Sequence, residues 1–443
     1  MSRAAAGPRK LGLFDAAMIA SGAMIGSGIF MNPAESARFL TTSSQLLVVW
    51  AFGGIVAFLG GLCFAELGAL FPQSGGQYVY MERAFAPWAG FLFGWTLFTT
   101  IQTGAIAAVS TTCARFIGTF APMSEGATRL LAAGILWTLS LVNILGLRPG
   151  SLVQNVFTVL KILALLILIA TGLFWFKAPA MNLGPVFPDG LSLKVLSALG
   201  LALMPALFSY GGWQNLNFVA GEVKNPARTL PLAIISGVSA VVAVYVLSNV
   251  VYVKALPLAG IASSTKLASD ALRAMVGPWG AKFVSLAIIV STFGITNVFI
   301  LTGARVVRVM AGRGAFFPAA ARIHPRFGTP AVAILLQSAW ASVLLLSNTY
   351  GQLLQYVTFG DWIFFGLTAL ALVVLRRTMP DEPRPYRTWG YPAVPWIFFI
   401  LSAAVVANVF ISSPVKSLVG AGIILAGLPL YHFSWNKRSP HEV

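Results

Sequence analysis

Gly22-Ala23-Met24-Ile25-Gly26-Ser27-Gly28, near the start of the chain, and Pro205-Ala206-Leu207-Phe208-Ser209-Tyr210-Gly211-Gly212, near its middle, decide how this sequence folds. Each sits inside a long apolar run and fills it with residues that a continuous helix tolerates poorly. Glycine adds backbone freedom and proline removes a hydrogen-bond donor. The apolar runs are numerous. Leu46–Leu62, Leu130–Val142, Val153–Phe174 and Val241–Tyr252, with their flanks, approach the roughly 20 residues that cross the hydrocarbon core of a bilayer. Of 443 residues, 58% are hydrophobic and 9% charged, with a mean hydropathy of +0.83. A water-soluble domain carries about 25% charged residues. The chain therefore reads as an all-α integral membrane protein.

The pattern divides into twelve spans, at 14–32, 44–70, 88–113, 129–147, 153–176, 196–220, 231–253, 280–303, 330–348, 353–375, 391–411 and 416–434. The segment Ala255–Gly280 is mixed in polarity and suits short interfacial helices. The two interrupted spans are the first and the sixth. Because they lie an odd number of spans apart, residues 14–176 and 196–375 would form two five-helix units facing the membrane in opposite senses. Residues 391–434 would add helices 11 and 12 to a single transporter domain. Paired broken helices in inverted units mark a binding site near the midplane. Gly54, Gly61 and Gly68, spaced every seven residues on span 2, are better read as small residues that let helices approach.

A net charge of +17 would suggest nucleic acid in a soluble protein. Here the basic residues sit in short connections, 18 of the 29 on one side of the spans and 10 on the other, with Lys161 alone inside a span. That bias puts both termini on the cytoplasmic side of a cell membrane. Cys63 and Cys113 both fall in apolar spans, so a disulfide framework is not expected. Three histidines and two cysteines offer no metal cluster, and no cofactor is expected. The first apolar run lacks a cleavage-site pattern and reads as a span, not a signal peptide.

Opening a helix inside a membrane strands amides and carbonyls that need partners. A free amino acid supplies them, with a carboxylate and an ammonium on one carbon. The amides of Ser27 and Gly28, at the start of a half-helix, would receive the carboxylate. The carbonyls of Met24, Phe208, Ser209 and Gly211 would receive the ammonium.

The stretch Met24-Ile25-Gly26-Ser27-Gly28-Ile29-Phe30 resembles the first-helix signature of the amino acid–polyamine–organocation superfamily. More narrowly, the chain is similar to L-type amino acid transporters and their single-component bacterial relatives. The likeness runs through Ala65-Glu66-Leu67-Gly68, Pro72-Gln73-Ser74-Gly75-Gly76-Gln77-Tyr78, Phe208–Trp213, Asn217-Phe218, Glu222–Pro226, Ser291–Gly294, Ile323-His324-Pro325 and Arg384-Pro385, nearly the whole chain. The resemblance implies the leucine-transporter fold, with substrate between helices 1 and 6, and sodium-independent amino acid exchange. It implies that Gly26, Ser27 and Gly28 hold the carboxylate and that the aromatic ring of Phe208 closes over the substrate. It also implies that Lys161 occupies the place of sodium in sodium-coupled relatives, its ammonium bound by carbonyls near Gly22 and by the Ser291 hydroxyl.

Lys161 also stands out without the resemblance. A charge within a span costs about 2.5–3.5 kcal/mol on insertion scales, and this one lies too deep to reach water easily. It is either a structural lysine or a functional one, and it could also carry a coupling proton. Asp361 could face the substrate cavity or bond between helices. Tyr210, Gln102 and Thr103 are pocket or gate candidates, with interhelical hydrogen bonding as the alternative. Glu66, Glu222 and Lys224 suit an inner gate or solvated helix ends. With no charged side chain fixed beside the breaks, neutral L-amino acids are the expected substrates. The connection Phe116–Arg129 has no cysteine to crosslink a heavy-chain subunit, and the tails are short, so a heavy chain is not expected as partner. The rivals are a proton-coupled amino acid symporter, a cationic amino acid or polyamine carrier with Asp361 as counter-charge, and a membrane enzyme or sensor, for which no catalytic constellation is found.

Overall fold

The computed structural model describes residues 9–177, 183–188, 190, 192–347 and 350–432. Arg3, Lys437 and Arg438 of the basic side, and the last residues assigned to spans 9 and 12, lie outside the described residues. The elements are α1 (Leu13–Met24), α2 (Gly28–Ala37), α3 (Ser43–Leu70), α4 (Gln77–Ala84), α5 (Pro87–Thr96), α6 (Gln102–Ile117), α7 (Glu125–Ile144), α8 (Leu147–Ala170) and α9 (Leu193–Tyr210). They continue with α10 (Asn215–Phe218), α11 (Pro226–Ala255), α12 (Leu258–Ser263), α13 (Leu267–Val276), α14 (Pro278–Gly312), α15 (Ala331–Ser347), α16 (Tyr350–Thr378), α17 (Ala393–Ser412) and α18 (Pro414–Leu430). Among the described residues every regular element is helical.

Ten segments are long and apolar enough to cross a membrane, and α15 and α18, at 17 residues each, are shorter apolar helices. Together they make the twelve expected spans. The first span is α1 with α2 and the sixth is α9 with α10, so both are broken as the glycines and proline require. Span 8 runs further than expected, since α14 continues to Gly312. Its extra turns carry Arg305, 2% exposed, which pairs with Glu222 at 3.0 Å. α12 and α13 are the short helices of the polar connection after span 7. Leu130, Phe174, Trp175, Leu193 and Trp279 are well exposed, which suits a lipid-facing surface.

Span 1 and spans 8 and 10 are the most enclosed, each 72% buried, whereas span 11 is only 22% buried. Of the two broken spans the first is thus central, span 6 being 28% buried. Glycines let it be so. A methyl at Gly54 would meet Val242, one at Gly61 would meet Val238 and Ile234, and one at Gly68 would meet Asn217 and Leu230. The seven-residue stripe therefore beds α3 against α11 and α10.

Candidate functional site

At the first break Ile25 turns extended (φ −75°, ψ 90°) and ends α1, and α2 restarts at Gly28. At the second, α9 ends at Tyr210, Gly212 adopts φ 125° and α10 begins at Asn215. The two breaks touch. A methyl on Gly212 would strike the Ala23 carbonyl, and one on Gly28 would lie 2.5 Å from Ser209 Oγ and 3.1 Å from its Cα. Only glycine allows that approach. α2 and α9 are also tied by side chains. Asn32 Nδ2 donates to Ser209 Oγ at 2.8 Å and to the Pro205 carbonyl at 3.3 Å, and Ser36 Oγ donates to the Ala202 carbonyl at 2.7 Å.

A cavity of about 80 Å³ opens between the breaks and helices α6, α14 and α16. At roughly 10–15 Å³ per water it holds a handful of waters, room for a small amino acid. Met24, Gly26, Ser27, Gly28, Phe208, Ser209 and Gly211 all line it, as do Gln102 and Asp361. Among the described residues, no acceptor meets the amides of Ser27 and Gly28 and no donor meets the carbonyls of Ser209 and Gly211. Two other carbonyls are already engaged. That of Met24 accepts the Tyr245 hydroxyl at 2.9 Å, and that of Phe208 accepts the Gly211 amide at 3.2 Å. Each of these two carbonyls keeps a second lone pair for an ammonium.

Tyr210 does not line the cavity. Two helical positions from Phe208 it faces the other way, and its hydroxyl donates to the Trp50 carbonyl at 3.0 Å. The Ser209 side chain is spent on Asn32 and Pro205, so the residue offers main chain to the cavity. Gln102 both lines the cavity and bonds between helices, donating to Asn215 Oδ1 at 3.1 Å, the Phe299 carbonyl at 2.8 Å and Thr302 Oγ1 at 3.2 Å. A π-helical turn at Leu97–Ile101 precedes it and aims Ile101 and Gln102 inward. Thr103 donates to the Phe98 carbonyl at 2.7 Å instead. Asp361 lines the cavity and makes no hydrogen bond or ion pair with any described residue.

Lys161 is fully buried and lies outside the cavity lining. Its Nζ donates to the carbonyls of Gly22 at 2.5 Å and Ile25 at 2.7 Å. Ser291 Oγ donates to the same Ile25 carbonyl at 3.0 Å. The expected Lys161–Ser291 bond is thus replaced by a shared acceptor. An ammonium at the C-terminal end of α1 satisfies carbonyls that the break orphaned and suits the helix dipole.

The ends of the spans at Glu66 and Glu82 carry ion pairs in place of solvated ends. Glu66, fully buried, accepts from Arg376 at 2.6 and 2.8 Å and from the Thr388 amide at 2.6 Å. Glu82 pairs with Arg313, whose guanidinium lies over the Tyr78 ring. Lys224 is exposed.

An amino acid permease family model matches residues 11–433. This chain belongs to the amino acid permease family. Among its relatives is the human b(0,+)-type amino acid transporter 1, 33% identical over 97% of this chain and 90% of that protein. The mouse large neutral amino acids transporter small subunit 2 is 32% identical over 96% of this chain and 80% of its own length. The serine/threonine exchanger SteT of Bacillus subtilis (strain 168) is 30% identical over 96% of each. Membership in this permease family makes the chain a multi-pass membrane transporter, and the enzyme reading falls.

The residues not anticipated are Tyr245, Asn215, Phe299, Trp362 and Phe365. Tyr245 and Phe299 come from distant helices without a local motif. Trp362 adjoins Asp361, and Asn215 follows the glycine pair by three residues, so both had a neighbouring signal.

Proposed function

We propose that the chain carries neutral L-amino acids across the cell membrane by sodium-independent exchange, through alternating access around the cavity. The observation that carries this is the pairing of unmet amides at Ser27 and Gly28 with unmet carbonyls at Ser209 and Gly211. A carboxylate suits the N-terminal end of α2, and an ammonium suits the carbonyls opposite. Ile101, Ala105, Ile295, Phe299, Val357 and Phe365 then take an apolar side chain. Residues 14–176 and 196–375 are read as inverted five-helix units, with 391–434 as an addition, and both termini as cytoplasmic. The chain is read as acting without a heavy chain. The relatives' names, transporter and exchanger, support the activity.

Purified protein in liposomes loaded with unlabelled alanine should take up labelled alanine, and empty liposomes should not. Uptake into empty vesicles driven by a proton gradient alone would overturn exchange in favour of symport.

A further inference from the structure

Basic side chains gather where spans 1 and 7 begin. The amides of Lys10 and Leu11 donate to the Glu222 carbonyl and the Lys224 amide donates to that of Leu11, which sets Leu11 beside Val223 as a parallel bridge. The side chains of Leu11 and Val223 are buried. Because side chains alternate along extended backbone, Lys10 and Lys224 both turn outward, and Arg9 and Arg228 are exposed with them. None of the four pairs with an acid among the described residues. The neighbouring acids are engaged inward. Asp15 accepts from the Gly12 amide at 2.9 Å and from Asn155 Nδ2 at 2.6 Å, and Glu222 accepts from Arg305. The α1 and α11 helices also start here, at Leu13 and Pro226, so two helix dipoles add their positive ends. Next to the charges the surface turns apolar, with Leu13 and Phe14 opening α1 and Leu232 in the second turn of α11 all exposed. Four cations without a counter-charge, beside bare leucine and phenylalanine, complement a molecule with an anionic head and hydrocarbon tails.

We infer that this end of spans 1 and 7 is a binding site for an anionic phospholipid of the surrounding bilayer. Its phosphate meets Arg9, Lys10, Lys224 and Arg228, and its acyl chains run along Leu13, Phe14 and Leu232. A diffusible phosphate shares the head-group chemistry but leaves those apolar side chains uncovered, which favours the lipid. The side concerned is the one read as cytoplasmic, where anionic lipid attracts basic residues next to a span. Since the bridge joins the segment before α1 to the connection between spans 6 and 7, the bound lipid fastens these two stretches together.

Native mass spectrometry of the full chain in detergent tests this, with phosphatidylglycerol or phosphatidylcholine of identical acyl chains added. Wild-type protein should hold phosphatidylglycerol about tenfold more tightly or better. The combination Arg9→Gln, Lys10→Gln, Lys224→Gln and Arg228→Gln should remove that preference. A control with Lys194→Gln, Lys266→Gln, Arg273→Gln and Lys282→Gln, four exposed basic residues elsewhere, changes the net charge equally and should keep it. Melting in detergent shows which variants fold, and Lys10→Gln with Lys224→Gln is the smaller change, expected to cut the preference at least threefold. Equal retention of the two lipids by wild type overturns the inference, as does a preference unmoved in a folded patch variant or lost equally in the control. Displacement of the lipid by inorganic phosphate at equal concentration assigns the patch to a soluble anion and overturns it too. The exchange reading stands apart from all of these outcomes.

Discussion

Lys161 and Gly28 are the two residues on which the site most depends, for opposite reasons. Lys161 fills a gap. Cutting it to alanine strands the Gly22 carbonyl inside the membrane and leaves that of Ile25 with Ser291 alone, at about 1–3 kcal/mol for the group left unsatisfied. We expect Lys161→Ala to insert and run as a folded species on size exclusion, yet lose nearly all alanine counterflow. Near-normal transport by that variant would remove the lysine from the mechanism. Gly28 instead leaves a gap. An added methyl would press on the main chain of Ser209 as well as its hydroxyl, so Ser209→Ala offers no relief. Gly28→Ala should weaken substrate binding at least tenfold, read as KM in counterflow, and Gly28→Ala with Ser209→Ala should behave no better. Wild-type KM in either variant counts against close contact of the half-helices. Both positions were legible in the sequence, one as a charge where none is cheap and the other as a glycine in a glycine-rich break. The second partner of the Met24 carbonyl, the Tyr245 hydroxyl, was not legible, because it comes from a helix remote in sequence and no local pattern announces such a contact.

Elements extend the same logic, because the halves of the broken spans are tied to each other. Asn32 and Ser36 bind α2 to α9 on one side of the breaks. On the other, the amides of Lys10 and Leu11 donate to the Glu222 carbonyl at 2.9 and 3.0 Å, and the Lys224 amide donates to the Leu11 carbonyl at 2.8 Å. Bending is thereby left to the glycines between. Helix bounds and the paired breaks could be read from apolar run lengths and glycine placement. The extension of α14 to Gly312 could not, since charged Arg305 looks like a helix end until Glu222 is seen to accept from it. Glu66 anchors the bundle by joining the end of α3 to α16 and to the segment before α17. Removing a fully buried carboxylate from beside two partly exposed arginines leaves both cations and the Thr388 amide without their acceptor, a loss on the order of 1–3 kcal/mol. Glu66→Ala should accordingly lower the melting temperature in detergent by several degrees or more. An unchanged melting curve would reduce the cluster to a surface feature.

For the molecule as a whole, the consequence concerns which ions take part. Carbonyl oxygens at Gly22 and Ile25, a hydroxyl at Ser291 and the Lys161 ammonium meet at the break of the first span, all on the face of α1 turned toward α8 and α14. Oxygen ligands of this kind suit a hard cation, and the ammonium already occupies them. A sodium ion entering beside it would stand within a few ångströms of a fixed positive charge, at a cost of about 4 kcal/mol for 4 Å at an effective dielectric constant near 20. That corresponds to roughly a thousandfold loss of affinity, enough to empty the site at millimolar sodium. Alanine counterflow should therefore run at the same rate when external sodium is replaced by choline at constant ionic strength. The resemblance to L-type amino acid transporters, with Lys161 as the basic residue inside a span, made this expectation available from sequence; the identity of the oxygens around it required the fold. Stimulation by sodium, with a saturable dependence on its concentration, would mean that Lys161 leaves those carbonyls during the cycle and that the ion takes its place.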